Sequence, residues 1–207
     1  INVSIAGIGG QGSVLAARIL AQAAEAKGWQ VRSAETIGMA QRGGDVMSHV
    51  RMGNAGEEVF SPLPAKGTVD VLIALEPGEA ARALPYLKEN GLLVVASTGI
   101  PPVMANFKRQ TYDPQHLIDD MQAAGVKMVV VDDAELVHRL GEPKALNVMM
   151  LAYAIIAVNK REDCVDNALR GAITLEDIEA AIPLCVKRKL VSVNEKAIKV
   201  VQQAARV

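Results

Sequence analysis

The sequence predicts an α/β fold, a Rossmann-like three-layer domain with a mostly parallel but mixed sheet and a helical C-terminal tail. Nearly uninterrupted apolar runs, such as residues 69–75, have the length and composition of strands that are buried on both faces. Helical stretches alternate with these runs as far as Leu140, which is the pattern of parallel βαβ units. Aromatic residues make up only 3% of the 207 residues, so the core has to be built from Val, Leu, Ile, Ala and Met.

The first elements form a βαβ opening. We predict a strand at residues 3–6, a helix over 14–27 that ends at Gly28, and a second strand at 30–35. A glycine turn at 7–12 joins the first strand to the helix.

A hairpin is predicted next. A glycine-rich loop at residues 37–45 leads into a strand over 46–52, and the Gly-Asn-Ala-Gly turn at 53–56 returns the chain into a strand at 57–60. This antiparallel pair is the reason to expect a mixed sheet.

The middle of the chain continues the alternation of strands and helices. The predicted elements are a strand at 69–75, a helix at 78–88, a strand at 92–96 after a stop at Asn90-Gly91, a helix at 114–124, a strand at 127–131 and a helix from Asp132-Asp133 to Leu140.

Beyond Pro143 the sequence predicts only helices. They fall at residues 143–159, 163–170, 175–181 and 193–205, and Thr174 with Asp177 forms a weak capping box for the third. The apolar run at 148–158 is shorter than the roughly 20 residues that a membrane span needs, so it reads as a buried helix. We expect one domain over residues 1–207, with an α/β part to about 140 and the helical tail from about 143.

Composition excludes several classes of partner. A net charge of −1 and a pI near 6.4 offer no electrostatic footprint for nucleic acid or an anionic membrane. The N-terminal stretch lacks the basic residues of a signal peptide, and Cys164 and Cys185 read as reduced thiols, so a cytoplasmic location is expected. A mean hydropathy of +0.20 suggests that another subunit covers part of the surface, in a homodimer or a heteromer.

The glycine turn is the first candidate site. Its glycines allow backbone to approach a ligand closely, and the helix that follows offers unpaired N–H groups to a phosphate-bearing cofactor. The same glycines also serve to pack a helix tightly on a strand, and the two interpretations stay open. The candidate cofactor-binding residues are Gly7, Gly9, Gly10, Gln11 and Gly12.

The dinucleotide interpretation of that turn also requires an acidic residue, and Glu35 is the candidate. At the end of the second strand it stands about where an acid would hold a ribose hydroxyl, although an ordinary solvated carboxylate fits equally well. The chain beyond Leu140 supplies no His or Lys constellation for a proton relay, which a dehydrogenase would require.

A second candidate loop surrounds the one cation between Arg32 and Arg51. Paired glycines can point N–H groups at an acceptor, and the guanidinium is a bidentate donor, so the loop fits a phosphate or carboxylate. The alternative is a plain turn whose cation pairs with Glu35 or Asp45. The candidate residues are Gln41, Arg42, Gly43 and Gly44.

These motifs together are similar to a known family. The sequence resembles the gamma-type subunit or domain of 2-oxoacid:ferredoxin oxidoreductases, and among them the small subunit of those that act on indolepyruvate. The resemblance covers most of residues 1–153 and the helical tail only loosely. It is carried by the turn at 7–12, Gly-Met-Ala-Gln-Arg-Gly-Gly at 38–44, Ser-His-Val-Arg at 48–51, Ser61-Pro62, the run at 75–87 and Pro-Lys-Ala-Leu-Asn at 143–147.

The resemblance implies one part of a heteromeric enzyme. Such enzymes decarboxylate a 2-oxoacid oxidatively with thiamine diphosphate and Mg²⁺, pass electrons through iron–sulfur clusters to ferredoxin, and form an acyl-coenzyme A. Two cysteines without C-x-x-C cannot hold a four-cysteine cluster, and no Gly-Asp-Gly motif is present, so the resemblance places those centres on a larger partner. Coenzyme A is then expected at the subunit interface, and the chain alone is expected to be inactive.

Two alternatives remain from the residues themselves: a stand-alone nicotinamide-dependent oxidoreductase, and a non-catalytic binding module. We assign no catalytic residue and no metal ligand. His49, His116 and His138 lack metal-ligand spacing, and no Gly-x-Ser-x-Gly nucleophile motif occurs.

Overall fold

The computed structural model of the protein describes residues 1–38, 44–54, 56–101, 112–161 and 169–205. The strands in these ranges are β1 (Asn2–Ile8), β2 (Gln30–Ile37), β3 (Asp45–Gly53), β4 (Val69–Ala74), β5 (Leu87–Ala96) and β6 (Met128–Val131). They form one sheet in the order β2-β3-β1-β4-β5-β6. β1, β4, β5 and β6 run parallel, whereas β3 pairs antiparallel with both β1 and β2. The sheet is therefore mostly parallel and mixed, as predicted.

Helices cover both faces of this sheet. They are α1 (Ser13–Ala26), α2 (Pro77–Ala83), α3 (Pro114–Ala123), α4 (Asp133–Leu140), α5 (Leu146–Lys160), α6 (Leu175–Cys185) and α7 (Arg188–Ala204). Apolar side chains of α1 and α4 to α7 share one core with alternate residues of the strands, and those of α2 and α3 share a second core on the opposite face. This arrangement confirms the three-layer α/β fold.

The predicted hairpin partner at residues 57–60 is wrong, because these residues form no strand. The hairpin is instead β2–β3, and β3 inserts between β1 and β2, so that Val50 lies opposite Val3 on one side and Ser33 on the other. Residues 57–60 lie beside the start of β2. Two side chains of β2 form hydrogen bonds with the backbone of Val59: the Val59 N–H donates to Gln30 Oε1 at 2.7 Å, and the Val59 carbonyl accepts from Arg32 Nε at 3.4 Å. Only Val59 of this segment is buried.

The predicted helix at 78–88 and the stop at Asn90-Gly91 are also wrong in extent. The helix α2 ends at Ala83, and a 3₁₀ turn over Leu84–Tyr86 follows, because Pro85 has no N–H with which to continue the helical ladder. Strand β5 then begins at Leu87 and runs through Gly91. A Cβ at Gly91 would lie 2.9 Å from the Val69 carbonyl oxygen. Glycine there lets β4 and β5 approach where their register shifts, so it belongs to the strand rather than ending it.

The tail follows the helical prediction where it is described. α5 carries the apolar run at 148–158, and Met149, Met150 and Leu151 are fully buried, which confirms a buried helix. The capping box forms: Thr174 N donates to Asp177 Oδ2 at 2.9 Å, and Asp177 N donates to Thr174 Oγ1 at 3.3 Å. The two last helices, α6 and α7, are each longer than predicted.

The helix predicted at 163–170 falls largely outside the described residues. In the part of the chain that the structure covers, no helix is both long and apolar enough to cross a membrane.

Candidate functional site

The carboxyl ends of β1 and β4 lie side by side at one edge of the sheet, and we call the space between the segments that follow them the crevice. These two neighbouring strands are parallel, yet α1 leaves β1 on one face and α2 leaves β4 on the other. Such a divergence is the topological switch point at which open α/β sheets bind ligands. The glycine turn borders one side of the crevice, and Glu76, which follows β4, borders the other.

Packing accounts for two glycines of the turn. A Cβ at Gly12 would lie 2.6 Å from Asn147 Nδ2, and the φ of Gly12 is +84°, in the left-handed region. A Cβ at Gly7 would lie 3.2 Å from Leu75 Cδ1. Gly10 differs, because a Cβ there would meet no atom within 4 Å although its φ is +107°. Gly12 is therefore required by its positive φ and by its contact with Asn147. A side chain at position 7 would press against Leu75, and Gly10 faces open space.

The side chain of Gln11 spans the crevice. Its Oε1 accepts a hydrogen bond from Ile8 N at 2.7 Å, and its Nε2 donates to the Leu75 carbonyl at 2.9 Å. Gln11 thus ties the end of β1 to the end of β4. Each polar atom of the amide makes one hydrogen bond to backbone, which leaves the second N–H of Nε2 and the second lone pair of Oε1 for a further contact.

The N-terminus of α1 is open to an anion. Gly12 provides no side-chain cap, and the first turn of the helix contains no acid. Leu15 N donates to the Gly12 carbonyl at 3.1 Å, so Ser13 and Val14 are the first-turn residues whose N–H groups have no intrahelical acceptor. The helix macrodipole places partial positive charge at this end. Asn147, on the first turn of α5, lies against this end and donates from Nδ2 to the Gly12 carbonyl at 2.9 Å. Its buried Oδ1 has no hydrogen-bond partner among the described residues.

The second candidate loop meets the first through Gly44. The Gly44 carbonyl accepts from Gly9 N at 2.9 Å, so the two glycine segments share this edge of the sheet. Gln41, Arg42 and Gly43 lie outside the described residues. The contact also uses one of the turn N–H groups that a phosphate would otherwise engage.

A buried carboxylate forms the far side of the crevice. Glu76 Oε2 accepts from Glu79 N at 3.0 Å, and Oε1 accepts from Ile100 N at 3.2 Å and from the hydroxyl of Tyr112. Burial raises the pKa of Tyr112, and the hydrogen bond to Glu76 and its charge raise it further. The Tyr112 oxygen in turn accepts from Gly78 N at 3.1 Å. Glu76 thereby joins the β4–α2 junction to the loop that follows β5.

Glu79, one turn into α2, is a second buried acid. Burial raises the pKa of Glu79, and the Arg82 guanidinium, 3.4 Å away, opposes that shift. The charges of Asp45 and Glu76 raise the pKa of Glu79 further. This side of the crevice is therefore acidic, in contrast to the open α1 terminus opposite.

Glu35 does not stand where a ribose-binding acid would. Because β3 lies between β1 and β2, the strand that carries Glu35 is two strand spacings, about 10 Å, from β1. In the dinucleotide arrangement these two strands are neighbours. Glu35 is exposed on the edge strand, so the geometry does not support its role in holding a ribose.

The histidines occupy separate places. His49 is buried on β3, with Nδ1 2.8 Å from Ser4 Oγ and its ring centroid 5.7 Å from that of Tyr86. Burial lowers the pKa of His49. His116 is an exposed residue of α3, 3.6 Å from Asp120. Within the ranges that the structure describes, His, Cys, Asp and Glu side chains form no group of three that could hold a metal.

Sequence reasoning gave no role to two residues that shape this site, Glu76 and Asn147. Both lie in stretches that carry the family resemblance. The available signal for Glu76 was a carboxylate directly after a nearly apolar strand, and the signal for Asn147 was an amide at the start of a largely apolar helix. Neither signal identifies the partner, which is distant in sequence.

The fold and its carboxyl edge define a doubly wound α/β domain of the kind that receives a ligand or a partner where its parallel strands end. Residues 2–207 match the pyruvate ferredoxin/flavodoxin oxidoreductase family, and the chain belongs to that family. This result confirms the family that the motifs indicate.

The relatives are subunits or domains of oxidoreductases. The indolepyruvate oxidoreductase subunit IorB of Archaeoglobus fulgidus is 32% identical over 200 residues, which cover 96% of this chain and 92% of that protein. The gamma subunit of a keto/oxoacid ferredoxin oxidoreductase from Geobacter sulfurreducens has the same fold, with a TM-score of 0.67, 22% identity and coverage of 100% of this chain and 99% of that one.

A longer protein contains the same fold. The 2-oxoglutarate:ferredoxin oxidoreductase from Magnetococcus marinus, solved with 2-oxoglutarate, coenzyme A and succinyl-CoA bound, superposes with a TM-score of 0.69 at 16% identity. The superposition covers 100% of this chain and 31% of that chain.

Proposed function

We propose that this chain is the gamma-type subunit of a heteromeric 2-oxoacid:ferredoxin oxidoreductase that acts on an arylpyruvate such as indolepyruvate. The observation that carries the proposal is the 32% identity, along nearly the whole length of both proteins, to a subunit of an indolepyruvate oxidoreductase. Pyruvate is the second candidate substrate, because the family as a whole is named for it.

The thiamine diphosphate, Mg²⁺ and iron–sulfur centres belong to a larger partner chain in this proposal. A cluster of the common types needs four cysteine ligands, and this sequence has two cysteines. The Magnetococcus enzyme supports such a division, since a domain of this fold makes up only 31% of that chain. The present chain then depends on its partner for decarboxylation and for electron transfer to ferredoxin.

Coenzyme A is the ligand proposed for the carboxyl edge. Its phosphates are anionic, and the uncapped α1 terminus presents N–H groups and partial positive charge. Residues 9–12 and 41–44 are those proposed for phosphate or interface contacts. A bound group or an ordered water beside α1 would also supply the donor that Asn147 Oδ1 lacks.

Exposed apolar side chains at the same edge support a partner there. Val14, in the first turn of α1, is 40% exposed, and Ile100, in the loop after β5, is 42% exposed. Large apolar side chains beside a ligand crevice are typical of a surface that another chain covers.

The test is reconstitution. The chain is co-expressed with its candidate larger subunit, and the purified complex is assayed for coenzyme A-dependent reduction of a viologen dye with indolepyruvate, phenylpyruvate, pyruvate and 2-oxoglutarate. We expect the highest kcat/KM with indolepyruvate. Absence of both a complex and coenzyme A-dependent activity would contradict the proposal. Saturable NADH binding by the chain alone, lost in Glu35→Ala, would support the nicotinamide alternative instead.

A charge variant isolates the proposed phosphate site. Val14→Glu adds an acid to the first turn of α1, which favours the helix itself but repels a phosphate. We expect the KM for coenzyme A to rise roughly fivefold, about 1 kcal/mol of interaction, without loss of thermal stability. The matched neutral variant is Val14→Gln, which should leave this KM within about twofold. Arg42→Ala is expected to raise the same KM or to weaken subunit association.

A further inference from the structure

The outer edge of β2 is an unpaired strand edge among the described residues. β2 pairs with β3 on one side only, and none of its eight residues is buried. A groove of about 430 Å³ separates it from α1 on one face and leaves Ser33 and Glu35 in contact with solvent. The strand contains no proline, and its pairing with β3 shows no register shift. An unpaired edge of this length, without proline or bulge, presents its backbone N–H and C=O groups as a template for another strand.

The hydrogen bond at the end of the hairpin identifies the backbone groups on this edge. Gly38 N donates to the Asp45 carbonyl at 2.8 Å, so this opposed pair is a hydrogen-bonded one. Antiparallel pairs alternate between hydrogen-bonded and non-hydrogen-bonded along a ladder. The even-numbered residues of β2 therefore direct their backbone groups toward β3. The odd-numbered residues direct theirs outward, and these are Val31, Ser33, Glu35 and Ile37.

We infer that β2 pairs antiparallel with β2 of a second copy of this chain, about a two-fold axis at Ala34, to form one continuous sheet. Hydrogen-bonded and non-hydrogen-bonded pairs alternate along an antiparallel ladder, so an outward-directed residue can pair only with another outward-directed residue. A two-fold axis between two identical strands therefore passes through a residue that faces its own copy. Centred on Ala34, the pairing places Val31 opposite Ile37 and Ser33 opposite Glu35. Every outward-directed backbone group of β2 is then paired.

The side chains favour this register over its neighbour. Ile37 is 65% exposed, and in the proposed dimer Val31 of the second copy lies directly opposite it, which makes an apolar cross-strand pair. Ser33 can donate its hydroxyl to the Glu35 carboxylate of the second copy. An axis at Ser33 instead would set Val31 against the charged Glu35.

Site-specific cross-linking tests the register. In a background with Cys164→Ser and Cys185→Ser, Ala34→Cys faces its own copy in a non-hydrogen-bonded pair, with Cα atoms about 4.5 Å apart, which a disulfide can bridge. Thr36→Cys is the matched control, because it faces Arg32 and its two copies lie about 14 Å apart. We expect oxidation to cross-link the first variant and not the second, in the full chain both alone and co-expressed with its larger subunit.

A second pair of variants tests the backbone contact. Ser33→Pro removes an outward N–H without touching the ladder to β3, whereas Ser33→Thr keeps it. Sedimentation equilibrium should show the dimer dissociation constant at least about tenfold higher for the proline variant, because both copies lose hydrogen bonds, and little changed for threonine.

A folded Ala34→Cys chain that stays uncross-linked would overturn the inference, and so would preferential cross-linking of Ser33→Cys. These readouts require no enzymatic activity, so they fail or succeed independently of the proposed function.

Discussion

Asn147 on α5 forms a hydrogen bond with Gly12, the N-cap residue of α1: its Nδ2 donates to the Gly12 carbonyl at 2.9 Å. The same amide occupies the space that a side chain at position 12 would need. The glycine turn at this corner is therefore shaped by an α5 residue 135 positions away as much as by any ligand.

This relationship predicts coupling between the two positions. Gly12→Ala should destabilise the protein by about 2–4 kcal/mol, because it adds both a clash and a strained positive φ. Asn147→Ala should cost about 1–2 kcal/mol through the lost hydrogen bond. Urea denaturation of both variants and the double variant should show a combined loss smaller than the sum, since Asn147→Ala removes the clash. Simple additivity would mean that backbone strain alone makes position 12 intolerant.

Gln11 is predicted to stabilise the crevice rather than merely border it. Gln11→Ala removes hydrogen bonds to Ile8 N and the Leu75 carbonyl and should lower the free energy of unfolding by about 1–3 kcal/mol. Gln11→Glu keeps an acceptor for Ile8 N but loses the donor to Leu75, so it should also destabilise. The control is Gln22→Ala, a half-buried residue that lines the groove between α1 and β2 and makes neither of these hydrogen bonds, and it is expected to change stability by less than about 0.5 kcal/mol. Equal losses of stability in Gln11→Ala and Gln22→Ala would contradict this stabilising role of Gln11.

Tyr112 is predicted to anchor the loop that follows β5. Tyr112→Phe leaves the ring in place but removes the hydroxyl that donates to the buried Glu76 carboxylate, so we expect a loss of about 1.5–3 kcal/mol in thermal or urea unfolding. Adding Glu76→Gln should recover part of the loss, because a neutral amide is less costly to bury than an unpaired charge. If Tyr112→Phe alone is neutral, this hydroxyl contributes little to the junction.

His49 predicts a pH dependence of stability below neutrality. Burial lowers the pKa of His49 from its ordinary value of 6.5, so the unfolded chain binds a proton there more readily than the folded one. The contribution of His49 to stability is complete above pH 6.5 and is lost as the pH falls through the folded-state pKa. The slope should disappear in His49→Gln, measured as urea midpoints between pH 7.5 and 5. His116→Gln, at an exposed site, should retain the slope of the wild type.

Local patterns in the sequence sufficed for most elements. Apolar runs and caps located β1, β4 and β6, the buried α5 and the Thr174–Asp177 capping box, because each depends on residues within a few positions of one another. The same local patterns misplaced the end of α2 and the start of β5, because Gly91 was interpreted as a terminator. A glycine that permits close approach of β4 looks, in one dimension, like a glycine that ends an element.

Local patterns in the sequence identified only part of the candidate site. The turn at 7–12 was found from its glycines, and Gly44 does meet Gly9. Glu76 and Asn147 were not recognised, because their importance rests on burial and on hydrogen-bond partners that no local spacing encodes.

The sequence by itself determined the α/β class, the family and the position of the glycine turn, since periodicity, composition and motif chemistry are local properties of the chain. Only the tertiary structure decided that β3 inserts between β1 and β2, which separates Glu35 from the turn and leaves β2 as a free edge. Strand order arises from long-range competition for pairing and burial between segments distant in sequence. For that reason the contact of Asn147 with Gly12, which shapes the turn, emerged only from the folded chain.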